Sequence, residues 1–276
     1  MPELPSPRGK AEAIASRFTM RGRRALVTGG SVSIGREIAL AFGEAGADIA
    51  VHYARQADIA FGKPDAASAT VTEIARNGVR AVGVEADFAT PGAAARCVKA
   101  VQEALGGLDV LVVCASIQYR TPFLEIPQKQ IEHQVRINFL ASIELLQAAL
   151  PGMKAQRWGR VLTIGSINQT HPEPDLAVYA ALKSAQHNLA INLAAAYAPH
   201  GVTVNNLSPG LIATERNRWR REDASAWAEI QRTSAPMQRA GEAREMAAAA
   251  LLLCSEAGSF ITGADLQATG GRHLGW

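Results

Sequence analysis

The sequence predicts an α/β protein in which one doubly wound parallel sheet lies between two layers of helices, a three-layer αβα arrangement. Three observations predict it. Short apolar runs of strand length alternate with longer stretches of helical spacing over most of the chain. Those short runs show little polar alternation, as expected of strands buried on both faces. A length of 276 residues, 48% hydrophobic and 19% charged, provides one large core and excludes a disordered or fibrous chain.

The elements follow in order. Residues 1–20 are Pro-rich and charged, and are expected to form a loose tail with one or two helical turns at 11–18. A single domain is expected over 21–276. Its strands are predicted at 25–28, 49–53, 79–84, 110–115, 161–164 and 202–205, and its helices at 34–45, 66–77, 93–105, 128–153 and 177–198. This alternation implies parallel strands joined by right-handed crossovers. Two stretches break the rhythm: 54–65, with Gly62-Lys63-Pro64, and the polar, basic stretch 211–238. Both are expected to be loops, the second a partial lid over a substrate, because ligands of doubly wound sheets bind at the carboxyl ends of the strands.

Several functional classes are excluded by composition. Lys and Arg total 28 against 25 Asp and Glu, a net charge of +3, which gives no global field for nucleic acid or an anionic membrane. Cys97, Cys114 and Cys254 are odd in number and far apart, so a disulfide framework and the paired spacing of a zinc site are both absent and no metal is expected. The first ten residues carry Glu3, three prolines and no apolar stretch, which predicts no secretory signal and a cytoplasmic location. The longest apolar run, 246–254, has nine residues, about half of what a membrane helix needs.

The first strand runs into Thr28-Gly29-Gly30-Ser31-Val32-Ser33-Ile34-Gly35, followed by an amphipathic helix. Glycines there let the backbone turn tightly and approach a pyrophosphate, whose charge meets the N–H groups of the helix N-terminus. An acid that binds the ribose 2′-hydroxyl usually stands about 20 residues on, at the end of strand two. Here Tyr53 holds that place, Asp48 begins the strand, and Arg55 follows it. A guanidinium suits a 2′-phosphate, so the sequence favours NADP(H) over NAD(H).

Strand five ends at Gly165-Ser166, and thirteen residues later comes Tyr179, then Lys183. A spacing of four puts Tyr179 and Lys183 on one helix face. Bringing a tyrosine pKa from about 10 to about 7 requires roughly 4 kcal/mol of preference for the phenolate. An ammonium at about 4 Å supplies a similar amount at an effective dielectric of 20. Tyr179 is thereby a candidate general acid or base, with Ser166 hydrogen-bonded to a carbonyl or alcohol oxygen.

The glycine turn, Ser166, Tyr179, Lys183 and Pro209-Gly210 stand in the order and spacing of the short-chain dehydrogenase/reductase family, which the sequence resembles over nearly all of 24–271. The resemblance implies a Rossmann-type fold, a nicotinamide cofactor and a homotetramer. It implies that Tyr179 donates or accepts the proton, that Lys183 lowers the tyrosine pKa and holds the nicotinamide ribose, and that Ser166 fixes the substrate oxygen. Asn138 matches the helix Asn of a water relay. The implied nucleotide contacts are Gly29, Ser31, Ser33, Ile34 and Gly35 at the turn, Tyr53 and Arg55 after strand two, Asp87 and Phe88 at the adenine, and Ala115 and Ser116 after strand four. Pro209, Gly210, Ile212 and Thr214 match the segment that closes over the nicotinamide. The family's last turn and strand are matched by 260–263 and Gly270-Gly271.

Two positions depart from the family pattern. Ser33 replaces the middle glycine of the turn, and Val113-Cys114-Ala115-Ser116 replaces Asn-Asn-Ala-Gly after strand four. The second change removes the amides that steady that strand and puts nucleotide affinity in question. Cys114, in an apolar strand end, is read as a buried thiol. Polar and cationic residues gather where a substrate would lie, and Gln118, Asn168 and Arg216 are the candidates to touch it. They favour a small polar alcohol or ketone, such as a polyol, sugar, sugar acid or oxoacyl compound. Two other readings remain at this stage: a nucleotide-sensing binding protein of the same fold, and nucleic-acid binding through the basic run 216–221.

Overall fold

The computed structural model describes residues 13–275. Seven parallel strands form one sheet: β1 Arg24–Val27, β2 Asp48–Tyr53, β3 Ala81–Glu85, β4 Val110–Val113, β5 Gly159–Ile164, β6 Val202–Pro209 and, last in the chain, β9 Asp265–Ala268. Their order across the sheet is β3-β2-β1-β4-β5-β6-β9. Two short strands, β7 Ile212–Ala213 and β8 Gly241–Glu242, pair separately in parallel. The fold is the doubly wound, Rossmann-like α/β sheet that the alternation predicts.

Alternate residues of each strand enter opposite cores, which explains the unbroken apolar runs. Leu26 and Leu111 face one layer, built from α4 Ala93–Leu105, α6 Ala141–Ala155 and α7 Ala177–Tyr197. Ala25, Val27, Val110 and Val112 face the other, with α1 Ser33–Glu44, α3 Ala66–Ala75 and α9 Ala243–Cys254. The apolar run at 246–254 is the inner part of α9. No helix among the described residues is long and apolar enough to cross a membrane.

The chain leaves β1 toward β2 and β3, then returns to the other side of β1 as β4. That reversal opens a crevice at the carboxyl ends of β1 and β4, where ligands of such sheets sit.

Four expectations about elements are corrected. Residues 54–65 are more than a loop, since α2 Arg55–Ala60 forms directly after β2. The stretch 211–238 contains β7, a 3-10 helix Glu215–Arg221 and α8 Ala224–Ser234, capped by Asp223 through the backbone N–H groups of Ser225 and Ala226. The expected helix 128–153 is divided into α5 Gln128–Val135, a π-helical turn Arg136–Leu140 and α6. Strand β6 runs four residues past its predicted end, to Pro209. The predicted tail lies mostly outside the described residues; within them, Ser16–Phe18 form a 3-10 turn and Met20 is fully buried.

Candidate active site

The crevice is a cleft of about 620 Å³, within the size range of small-molecule sites. Its floor is the turn between β1 and α1. Gly29 has φ of 63°, and a Cβ on Gly35 would stand 2.1 Å from the Gly29 carbonyl oxygen. Only glycine tolerates that approach. Ser33, at the position of the family's middle glycine, has φ of 53°, a conformation that costs a non-glycine residue energy. Its hydroxyl donates to the carboxylate of Glu215, which also accepts from Lys63. Burial would raise the Glu215 pKa, but Lys63 and Ser33 hold it below the usual carboxylate value.

The turn is pinned from behind by His52, which sequence reasoning left without a role. The Gly29 N–H donates to His52 Nδ1 at 3.0 Å, so Nε2 carries the proton and donates to the Ala86 carbonyl at 3.0 Å. Burial pushes the imidazole down to about 4, against the Ala86 carbonyl and Asp87. The ring stacks on Phe88 with centroids 4.0 Å apart. Its signal in the sequence is a histidine inside an otherwise apolar strand.

Thr28 compensates for the altered end of β4. Its hydroxyl donates to the Val112 carbonyl and accepts from the N–H groups of Cys114 at 2.9 Å and Ala115 at 3.1 Å. Ser116 is held from the opposite side by Arg216, whose guanidinium donates to the Ser116 carbonyl at 2.6 Å and to its hydroxyl at 3.0 Å. Burial pushes the Cys114 thiol up, with Lys183 and Arg216 opposing, as a buried thiol should behave.

Ser166 follows β5 and Tyr179 opens α7. Both line the cleft with Lys183. The Ser166 hydroxyl accepts from the Asn168 N–H at 3.2 Å, leaving its own proton free to donate. Lys183 is buried and donates to the Ile164 carbonyl at 2.6 Å and to Gln186 Oε1 at 3.1 Å, with Nζ 5.8 Å from the centroid of the Tyr179 ring. Burial lowers the Lys183 pKa, Tyr179 and Cys114 raise it, and Arg216 lowers it. The net direction is down, so the ammonium is more acidic than a free lysine.

From Lys183 a buried chain of hydrogen bonds continues. Gln186 Nε2 donates to the Ser142 hydroxyl at 3.1 Å, and that hydroxyl donates to the Asn138 carbonyl at 3.0 Å. Asn138 lies in the π-helical turn, a distortion common at functional sites. Its side chain bonds both backbone groups of Ile117, each at 2.8 Å.

Among the predicted nucleotide contacts, the turn residues Gly29, Ser31, Ser33, Ile34 and Gly35 all line the cleft. So do Arg55, Asp87 and Phe88 at one end, Ala115 and Ser116 beside them, and Pro209, Gly210, Ile212 and Thr214 on the closing segment. Gly210 is needed for close approach, since a Cβ there would stand 2.8 Å from Thr269 Cα. Two predicted residues stand apart from the cleft wall. Tyr53 instead packs toward β3 and donates to Glu85 at 3.3 Å, because strand alternation turns it away from the side His52 faces. Asn138 is off the cleft wall and is joined to it by the buried chain to Lys183 and by its bonds to Ile117, which lines the cleft.

Gln118, Asn168 and Arg216, the candidate substrate contacts, also line the cleft. Sequence reasoning missed Glu173 and Arg272, which join Arg120 and Arg220 there; Arg272 comes from beyond the last strand, and only the closure of the fold brings it near. It also missed Asp58 on α2, whose buried Oδ1 accepts from the Ser31 hydroxyl at 2.8 Å. Burial raises its pKa, against that hydrogen bond. No group of three His, Cys, Asp or Glu placed to hold a metal ion occurs among the described residues.

A family model described as Enoyl-(Acyl carrier protein) reductase matches residues 29–273. The chain is 31% identical over 263 residues to L-rhamnose 1-dehydrogenase (NAD(P)(+)) of a Sphingomonas species, covering 92% of this chain and 98% of that one. A 3-oxoacyl (acyl-carrier-protein) reductase from Agrobacterium tumefaciens, solved with NADP bound, is 39% identical with a TM-score of 0.87 over 93% of this chain and 96% of that one. A putative NAD(P)-dependent gluconate 5-dehydrogenase from Beutenbergia cavernae, with bound NADP, is 32% identical with a TM-score of 0.85 over 94% of this chain and 99% of that one.

Proposed function

The chain belongs to the short-chain dehydrogenase/reductase family and is an NAD(P)-dependent oxidoreductase; on that premise we propose that it interconverts a small polar secondary alcohol and its ketone, with Ser166, Tyr179 and Lys183 as its catalytic residues. The observation that carries the proposal is the joint placement of these three side chains on one cleft with the glycine turn.

The cleft fits a dinucleotide: glycine is sterically required at Gly35, the backbone of Gly29 closely approaches Ala115, and the turn feeds the N-terminus of α1. When bound, the nicotinamide supplies or takes the hydride. The protein's residues manage the proton and the oxygen. Ser166 donates its free hydroxyl proton to the substrate oxygen, which positions it and stabilises developing negative charge. Tyr179 exchanges the proton with that oxygen. The Lys183 ammonium faces the Tyr179 ring, and the buried chain through Gln186 and Ser142 fixes the lysine's orientation.

Arg55 supports a preference for NADP(H) over NAD(H). It lines the cleft beyond the end of β2, while Asp48 at the strand's start is engaged by Arg80. Two related structures were solved with NADP. The segment 211–238 acts as the substrate lid. A homotetramer is proposed on the exposed apolar side chains Leu140 and Ile191 in one helix layer and Phe260 and Leu266 at the sheet edge. A cytoplasmic location accords with three free cysteines.

The sensor reading rested on the altered motif after β4, and the Thr28 hydroxyl supplies the steadying contacts in its place. The basic run 216–221 does not form one surface stripe: Arg216 and Arg220 line the cleft, whereas Arg218 and Arg221 are exposed.

Titration with NADPH and NADH, followed by nicotinamide fluorescence, and then turnover on a panel of polar ketones and polyols tests the proposal. Binding with turnover is the expected result. Failure of both nucleotides to bind overturns it.

A further inference from the structure

We infer that the substrate carries an anionic group, a carboxylate or a phosphate, and that Arg120, Arg220 and Arg272 receive it at the far end of the cleft. The inference deepens the oxidoreductase reading and rests on it for the identity of the site.

The three arginines come from distant parts of the chain: the loop after β4, the 3-10 helix Glu215–Arg221, and the segment after β9. All three line the cleft that Ser166 and Tyr179 line. One carboxylate stands among them. Glu173 accepts from Arg120 at 2.8 Å and lies 4.0 Å from Arg272. Three positive charges against one negative leave two uncompensated in a confined space.

Arg220 is the least satisfied member. It is half-buried, stands over the Trp219 ring at 5.2 Å, and makes no hydrogen bond or ion pair with the described residues. Burial first, then the charges of Arg120 and Arg272, hold its pKa below the usual guanidinium value, with Glu173 opposing. A guanidinium kept in such surroundings without a partner lacks an anion. Its planar fork matches a carboxylate or phosphate through two parallel hydrogen bonds. Arg216, already engaged by Ser116, is not counted in this set.

Polar side chains accompany the arginines among otherwise apolar walls such as Leu176 and Leu211. Gln118 and Asn168 line the same cleft, which suits hydroxyl groups on the substrate. The substrate class is thus a polyhydroxy acid or a sugar phosphate rather than a neutral polyol.

The test is calorimetric titration of the NADPH-saturated protein with two matched pairs, D-gluconate against D-glucitol and glycerol 3-phosphate against glycerol. The anion of one pair should bind at least tenfold more tightly than its neutral partner, and which pair responds distinguishes carboxylate from phosphate. Arg220→Gln should reduce that ratio to threefold or less while leaving NADPH affinity unchanged. Arg272→Gln should act in the same direction. Equal binding within both pairs, or a ratio untouched by Arg220→Gln, overturns the inference. Should NADPH not bind, the oxidoreductase reading fails instead, and the same pairs titrated into the protein alone still judge the arginine cluster.

Discussion

Glu215 accepts a hydrogen bond from the Ser33 hydroxyl, so the segment after β6 is tied to the first residue of α1. The N-terminus of a helix attracts anions, and here a carboxylate of the protein's own stands at the end of the turn proposed to cradle the pyrophosphate. A second anion brought to that turn must contend with it. Glu215→Gln removes the charge, keeps a side chain of the same size, and releases Lys63 from its ion pair. NADPH should bind about threefold to tenfold more tightly, in line with roughly 0.6 to 1.4 kcal/mol for a charge at a helix end. Fluorescence titration measures it, and weaker binding would show that Glu215 serves to order the lid for the nucleotide.

Tyr179→Phe deletes only the phenolic hydroxyl. Turnover should fall at least about a hundredfold, the lower range for a lost general acid or base, while NADPH affinity stays within about twofold of wild type. Lys183→Ala should weaken both, because the buried ammonium bonds Ile164 and Gln186 and faces the tyrosine. Stopped-flow turnover beside equilibrium binding separates the two effects. Retained activity in Tyr179→Phe would remove the tyrosine from the mechanism.

Arg55 is 65% exposed in its side chain, with Nε 3.5 Å from Glu85. Its contribution to a 2′-phosphate is therefore screened, and about 1 kcal/mol is the reasonable expectation rather than the larger values of buried pairs. Arg55→Ala should weaken NADPH about fivefold and NADH hardly at all. An equal loss for both nucleotides would dissociate Arg55 from cofactor choice.

Much of this arrangement was legible in the chain because its signals are local. The glycine turn, the four-residue step from Tyr179 to Lys183 and the double-sided apolar strands each depend on spacing within a few residues. What was not legible depends on closure. Arg272 and Glu173 share a cleft with Arg120 only because the parallel strands β4, β5 and β9 all end on the same, carboxyl side of the sheet. The π-helical turn at Arg136–Leu140 is a one-residue insertion into helical pairing, invisible to a period of 3.6. Tyr53 was assigned to the nucleotide by distance along the chain, whereas the side on which a strand residue emerges depends on parity, and parity gives the cleft to His52. Thr28 looked like part of the turn, and its bonds to Cys114 and Ala115 required knowing that β4 lies beside β1.

His52 gives a pH dependence whose sign follows from its tautomer. In the fold the imidazole is neutral, accepting from Gly29 and donating to Ala86, with its pKa lowered from 6.5 to about 4. In the unfolded chain it titrates near 6.5. Between those values the unfolded state binds the extra proton, so stability rises with pH across the interval. The contribution is fully present above about 6.5 and is lost progressively as pH falls toward 4, where the deficit reaches roughly 3 kcal/mol. Protonating Nδ1 also removes the acceptor for the Gly29 N–H, so the same acidification should loosen the turn and weaken NADPH binding. Urea unfolding at pH 7, 6 and 5 should show a midpoint that falls with pH. His52→Gln keeps a neutral side chain with both an acceptor and a donor, and should be less stable at pH 7 but lose less between pH 7 and 5. A wild-type and variant pair with parallel pH profiles would show that the acid sensitivity arises elsewhere.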